Sequence, residues 1–192
     1  MDGDNQTAYP LYEQSAALLA GIEQLKVARV AAPSELANSR QSQGLLAEST
    51  NFPDFSTAVA MLYRELLGLH VLSLRQFLRI RTGTEVLHTG TDEEHLQQLY
   101  QRLPRICNYC EYFFKEDKKL TGRILFFMSF QVALMALPDP DSTSHCQMAG
   151  PEVTLRIRTV CQYLESKGFQ PWDECNSRWR EFVNLGRQQE TT

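Results

Sequence analysis

The sequence predicts an all-α protein, a bundle of six to eight helices around one central hydrophobic helix, and three observations carry that prediction. Apolar residues recur at three- and four-residue spacing in segment after segment. No segment shows sustained alternation bounded by turn dipeptides, the mark of a strand. One stretch, Leu120 to Leu137 (LTGRILFFMSFQVALMAL), is apolar on every face and carries a single charge, Arg123. A helix of that kind is either a membrane span or the middle of a bundle. Its eighteen residues, at about 1.5 Å each, would only just cross a bilayer core of roughly 30 Å, and an arginine in the first turn opposes spanning. We expect it to be buried, with its one cation placed where a partner can reach it.

Length and charge narrow the class further. At 192 residues the chain suits a single domain with a real core. Its formal net charge of -4 and pI of about 5.6 oppose nucleic-acid binding, and no basic run offers a local exception. The first ten residues, MDGDNQTAYP, are acidic and polar, unlike a secretory signal. Five cysteines in a chain with enough core to fold fit reduced thiols better than a disulfide framework.

Taken in order, residues 10 to 28 place Leu11, Ser15, Leu18, Leu19, Ile22 and Leu25 on one helical face, with Pro10 in the first turn. Periodicity then fades, and 29–52 reads as a flexible loop. Asp54 or Ser56 can cap a second helix running to about Arg81, with Val59, Leu62, Leu66, Leu69, Ser73, Phe77 and Ile80 inward and Leu67, Leu74 and Leu78 widening that face. Thr82-Gly83-Thr84 ends it. Thr91 with Glu94 forms a capping-box pattern ahead of Leu96, Leu99, Leu103, Ile106, Cys110 and Phe113. Pro104 makes this either two short helices or one kinked helix. Beyond the central helix, 138–151 is a loop by composition. Glu152 opens a further helix, with Val153, Ile157, Val160, Cys161 and Leu164 inward, that Gly168 ends. A last piece from Pro171 to Leu185 carries Trp172 and Trp179, with Asn176 or Ser177 able to cap its second half.

Few residues suggest chemistry. Cys107 and Cys110 form a lone C-x-x-C without the second pair a zinc site needs or the βαβ setting of a thioredoxin-like one, so they read as buried or half-buried thiols. Asp139, Asp141, Thr143 and His145 alternate somewhat like a calcium loop that lacks its glycine and terminal glutamate. The histidines are scattered, and no serine or cysteine sits in a nucleophile turn. We expect no enzyme, no metal and no cofactor.

Two segments resemble the Bcl-2 (B-cell lymphoma 2) family of apoptosis regulators. Tyr112 to Leu134 is similar to the family's first homology region: an aromatic helix end, a polar loop, an Asn-Trp-Gly-Arg corner and an apolar central helix. Gly122-Arg123-Ile124 matches the corner, and Ser129, Phe130 and Leu134 match behind it. Pro171 to Leu185 resembles the second region, where Trp172, Trp179 and Phe182 fit the family spacing. In order, the resemblance covers nearly the whole chain and implies one Bcl-2-like domain over residues 1–192.

The resemblance implies a groove that accepts the amphipathic death-motif (BH3) helix of pro-apoptotic partners. Arg123 would receive the ligand's aspartate, with a guanidinium fork suited to a carboxylate. Its bland alternative is to cap the preceding helix or pair with Glu116 or Asp117. Gly122, Leu120, Leu125, Phe126 and Phe130 would line one side, and Leu69, Phe77 and Ile80 the other. Trp172, Trp179 and Phe182 would be structural anchors. Leu120 and Thr121 replace the family's Asn-Trp, Ser177 and Arg178 replace a Gly-Gly pair, and Gln131 and Val132 would narrow the groove floor. The third region, read at Leu62 to Leu67, lacks the family's small residue and aspartate, leaving little to export as a killer ligand. An anti-apoptotic regulator is therefore the expected function, with a pro-apoptotic membrane-permeabilising effector of the same fold as the alternative. Within this sequence no transmembrane helix follows the second region. The implied location is the cytoplasm, or the mitochondrial outer membrane if an anchor follows.

Overall fold

Every described element is helical. The computed structural model describes residues 3–24, 45, 50–82, 92–115, 119–137 and 145–189. Among them are seven helical segments: α1 (Gly3–Gln24), α2 (Phe55–Thr82), α3 (Asp92–Asn108), α4 (Cys110–Phe114), α5 (Leu120–Met135), α6 (His145–Ser166) and α7 (Asp173–Gln189). No strand occurs among the described residues. The all-α expectation holds.

Local chemistry sets the helix ends. Asp54 caps α2: its carboxylate accepts from the Thr57 amide and the Thr57 hydroxyl, each at 2.8 Å. Those two bonds hold its pKa below the usual carboxylate value. Gly168, at φ 84°, closes α6, where its N–H reaches the Glu165 carbonyl at 2.9 Å and the Phe169 N–H reaches Leu164 at 3.1 Å. That pair of bonds is a Schellman motif, which requires the left-handed conformation glycine adopts freely.

Several boundaries differ from expectation. α1 starts at Gly3, so Pro10 lies inside the helix instead of in its first turn. Pro104 sits within α3 without ending it, and the break falls at Tyr109, whose N–H turns back to Ile106 at 3.1 Å. Part of the expected 138–151 loop is helical: α6 begins at His145, bends at Gly150 (φ 77°, ψ 165°) and resumes at Pro151. α7 starts after Trp172 and runs unbroken through Asn176 and Ser177, so neither caps a helix. At the end of the expected 29–52 loop, Phe52 is buried, edge-on to Tyr109 and Tyr112 at 4.9 and 5.1 Å. Gly83 and Thr91, read as helix signals, lie outside the described residues.

The core joins the inner faces of α2 to α7. Leu62, Leu66, Leu69 and Leu72 of α2 meet Leu99, Leu103 and Ile106 of α3, Phe126, Phe130 and Leu134 of α5, Ile157, Val160 and Leu164 of α6, and Trp179 and Phe182 of α7. Aromatic rings run through it in sequence. Phe126 stacks between Phe113 (5.8 Å) and Phe130 (6.0 Å), and Trp179 meets Phe130 and Phe127 edge-on.

Charge is buried as well. Glu65 of α2 is 3% exposed and accepts from Arg102 of α3 at 3.0 Å. Arg102 also bonds Glu23 at the end of α1, which in turn holds Arg64. Removal from water raises the Glu65 pKa, against the pull of the nearby Arg105 and Arg64 charges, and lowers that of Arg102, so each burial disfavours its own charge. α1 is thereby tied to α2 and α3.

Candidate partner-binding surface

An all-round apolar helix buries only the faces its neighbours cover. On α5, Gly122, Phe126, Phe127, Ser129, Phe130, Gln131, Ala133 and Leu134 are buried. Leu120 (65% exposed), Ile124, Met128 and Met135 are exposed, and Leu125 and Val132 are half-buried beside them. The expectation of a wholly buried central helix is therefore corrected. Leu120, Ile124 and Met128 lie one turn apart on one side, and they form an apolar strip open to solvent.

Arg123 stands at the edge of this strip, three residues on from Leu120 and so next to it on the helix surface. Its side chain is half-buried, and its Nε is shut away from water without a hydrogen-bond partner. Among the described residues it has no ion pair. Its electrostatic neighbour is Tyr163 of α6: burial raises the phenol's pKa, and the Arg123 charge acts against that rise. Glu116 and Asp117, the alternative partners considered from sequence, lie outside the described residues. A guanidinium in such a setting has the fork geometry and charge to pair with a carboxylate.

Gly122 is buried beneath Phe55, whose ring edge would come within 3.1 Å of a Cβ there. A larger residue would push Phe55 off the start of α5. The groove residues expected from sequence separate into two groups. Arg123, Gly122, Leu120 and Leu125 sit together on the first turns of α5. Phe126, Phe130 and Leu69 are fully enclosed in the core, where Phe113, Phe114 and Trp179 cover the two phenylalanines. They present no surface to a ligand in this structure. Phe77 is exposed on α2, and the side chain of Ile80 is outside the described residues.

The tryptophans differ in role. Trp179 is buried and donates its indole N–H to Glu165 at 2.9 Å. Trp172 is half-buried, and its backbone N–H donates to the side-chain oxygen of Gln131 at 2.6 Å. Gln131, expected on a groove floor, is instead wholly buried at the α5–α7 contact. Phe182 is buried beside Trp179 in the core.

Sequence reasoning missed Ile124, Met128 and Met135. Their positions are no more apolar than those around them, so no signal in the sequence marks which side of α5 is open. The thiols Cys107, Cys110, Cys161 and Cys175 are free and buried. Burial pushes Cys107 up to about 12 and Cys175 to about 11, so at neutral pH both are protonated and poor nucleophiles. No cluster of metal-ligating side chains occurs among the described residues. The chain matches no protein-family model, no curated protein and no solved structure.

Proposed function

We propose that this chain is a Bcl-2-like apoptosis regulator, anti-apoptotic in sense, which binds the amphipathic death-motif helix of a partner. One observation carries the reading: the half-buried Arg123 guanidinium, without an ion pair among the described residues, flanks the exposed strip of Leu120, Ile124 and Met128. A ligand helix with apolar side chains one turn apart and one carboxylate complements that surface in shape and charge. The spacing of Trp172, Trp179 and Phe182, and the match at Gly122-Arg123, support the family part of the proposal. Action in the cytoplasm or at the mitochondrial outer membrane belongs to the same proposal.

Calorimetric titration with a panel of such helical peptides tests it. Binding is expected at micromolar concentration or tighter. Arg123→Ala should weaken it by roughly 2–5 kcal/mol, a factor of about thirty to several thousand. Replacing the peptide's aspartate should cause a similar loss, with little further effect of Arg123→Ala. No binding across the panel would sink the idea.

A second reading, a membrane-permeabilising effector, draws on α2. Its Phe55–Leu78 stretch is long and apolar enough to cross a bilayer by length and composition. Dye release from liposomes by the whole chain, with no peptide affinity, would favour that reading over the first.

A further inference from the structure

On α2, charge and hydrophobicity are arranged inside out. Between Phe55 and Leu78 the helix carries three charges, Arg64, Glu65 and Arg75. Arg64 bonds Glu23 and the Ile22 carbonyl, Glu65 is buried against Arg102, and Arg75 lies over the Tyr12 ring at 4.6 Å. All three turn toward α1 or α3. The outer face instead shows Tyr63, Leu67, Leu74 and Phe77, each between 48% and 53% exposed, with His70 exposed among them. Surface helices ordinarily show the reverse pattern, and a continuous apolar face marks a site of association.

The spacing of that face says what covers it. Residues 63, 67, 70, 74 and 77 step by four, three, four and three. This is the narrow seam by which one helix packs against another, rather than the broad apolar face of a helix lying in lipid. Their order is also palindromic: aromatic, leucine, histidine, leucine, aromatic. Under an antiparallel two-fold centred on His70, Tyr63 faces Phe77 of a second copy, Leu67 falls within one residue of facing Leu74, and His70 faces its own equivalent. An interface between identical copies needs this kind of self-complementarity. The seam holds no acidic or basic side chain besides His70, so pairing brings no carboxylate or guanidinium against its like. Covering the exposed halves of the four large side chains removes roughly 400 Å² per copy. The total of about 800 Å² is below the size of a stable specific interface, in the range where association is weak and reversible.

We propose that the chain forms an antiparallel homodimer through the outer face of α2, centred on His70. Sedimentation velocity of the full chain, from low to high micromolar concentration, should show its mass rising from monomer toward dimer. Leu67→Lys should hold it as a monomer throughout, with the parent's helical circular dichroism and with peptide binding at Arg123 unchanged. That last readout separates this inference from the proposed function. Under mild oxidation, His70→Cys should cross-link to itself well above the parent's level. Leu67→Cys should cross-link poorly alone and readily when mixed with Leu74→Cys. A monomer at every concentration overturns the proposal, and so does a dimer indifferent to Leu67→Lys. Self-cross-linking of Leu67→Cys as strong as that of His70→Cys overturns the antiparallel arrangement. Vesicle binding by a strictly monomeric chain, lost in Leu67→Lys, would assign the face to lipid instead.

Discussion

The guanidinium of Arg102 rests on Gly68, so closely that a Cβ at that position would collide with its Nη1. Moving Arg102 aside would pull it from the buried Glu65 carboxylate, which it donates to at 3.0 Å. In mid-helix, alanine is ordinarily about 1 kcal/mol better than glycine. Here the clash displaces a buried ion pair, and breaking such a pair costs roughly 3–5 kcal/mol, so Gly68→Ala should destabilise by about 2 kcal/mol or more. The urea midpoint checks it, and an unchanged or raised midpoint would mean that Arg102 adapts freely.

The pair itself should behave as a unit. Glu65→Leu or Arg102→Met alone strands one buried charge and should cost roughly 3–5 kcal/mol. Both together remove the desolvated charges, and the double variant should be far more stable than the sum of the singles implies. Glu23 and Arg105 are substantially exposed, and their removal should matter much less. Equilibrium unfolding of the four proteins in the cycle measures the coupling.

The buried thiols predict a clear labelling pattern. Cys107, Cys110, Cys161 and Cys175 should resist a thiol reagent in the native protein at neutral pH and stay resistant at mildly alkaline pH. All five cysteines of the chain should react once it is unfolded in denaturant. Rapid native reaction of more than one thiol would show that the core opens.

At the start of α2, acid should act through Asp54. Its folded-state pKa lies below the ordinary aspartate value of 3.8, so its contribution is present above that value and disappears as pH falls through the lowered one. Asp54→Ala should therefore be less stable than the parent at pH near neutrality, and the gap should close in strong acid. Paired thermal melts across that range test the sign, and a gap that widens on acidification would refute the capping role.

The helices were legible because apolar spacing is a local property, and the inward residues Leu62, Leu66 and Leu69 follow from it directly. What covers each helix is not local. Leu67 and Leu74 extend an apolar face and so read as inward, yet α2 turns Arg64 and Glu65 inward toward partners 37 to 42 residues away in the sequence. Hydrophobic patterning assumes that charges seek water, and Glu65 and Arg102 seek each other. At the candidate site the cation and its glycine were visible as a motif. Phe126 and Phe130 were assigned to a groove, and the rings that enclose them come from α4 and α7, which spacing on α5 cannot reveal.

Gln131 has a consequence for α5 as a rotor. A helix equally apolar all round gains almost the same burial at any rotation about its axis, so hydrophobicity leaves its angular setting soft. The bond from the Trp172 N–H to Gln131 removes that freedom, because only one orientation brings the buried amide under the start of α7. The Cys175 thiol, reaching the Gln131 carbonyl at 3.8 Å, marks the same contact. One polar side chain thus indexes the helix like a key in a shaft, and through it decides which of its otherwise equivalent faces is left open beside Arg123.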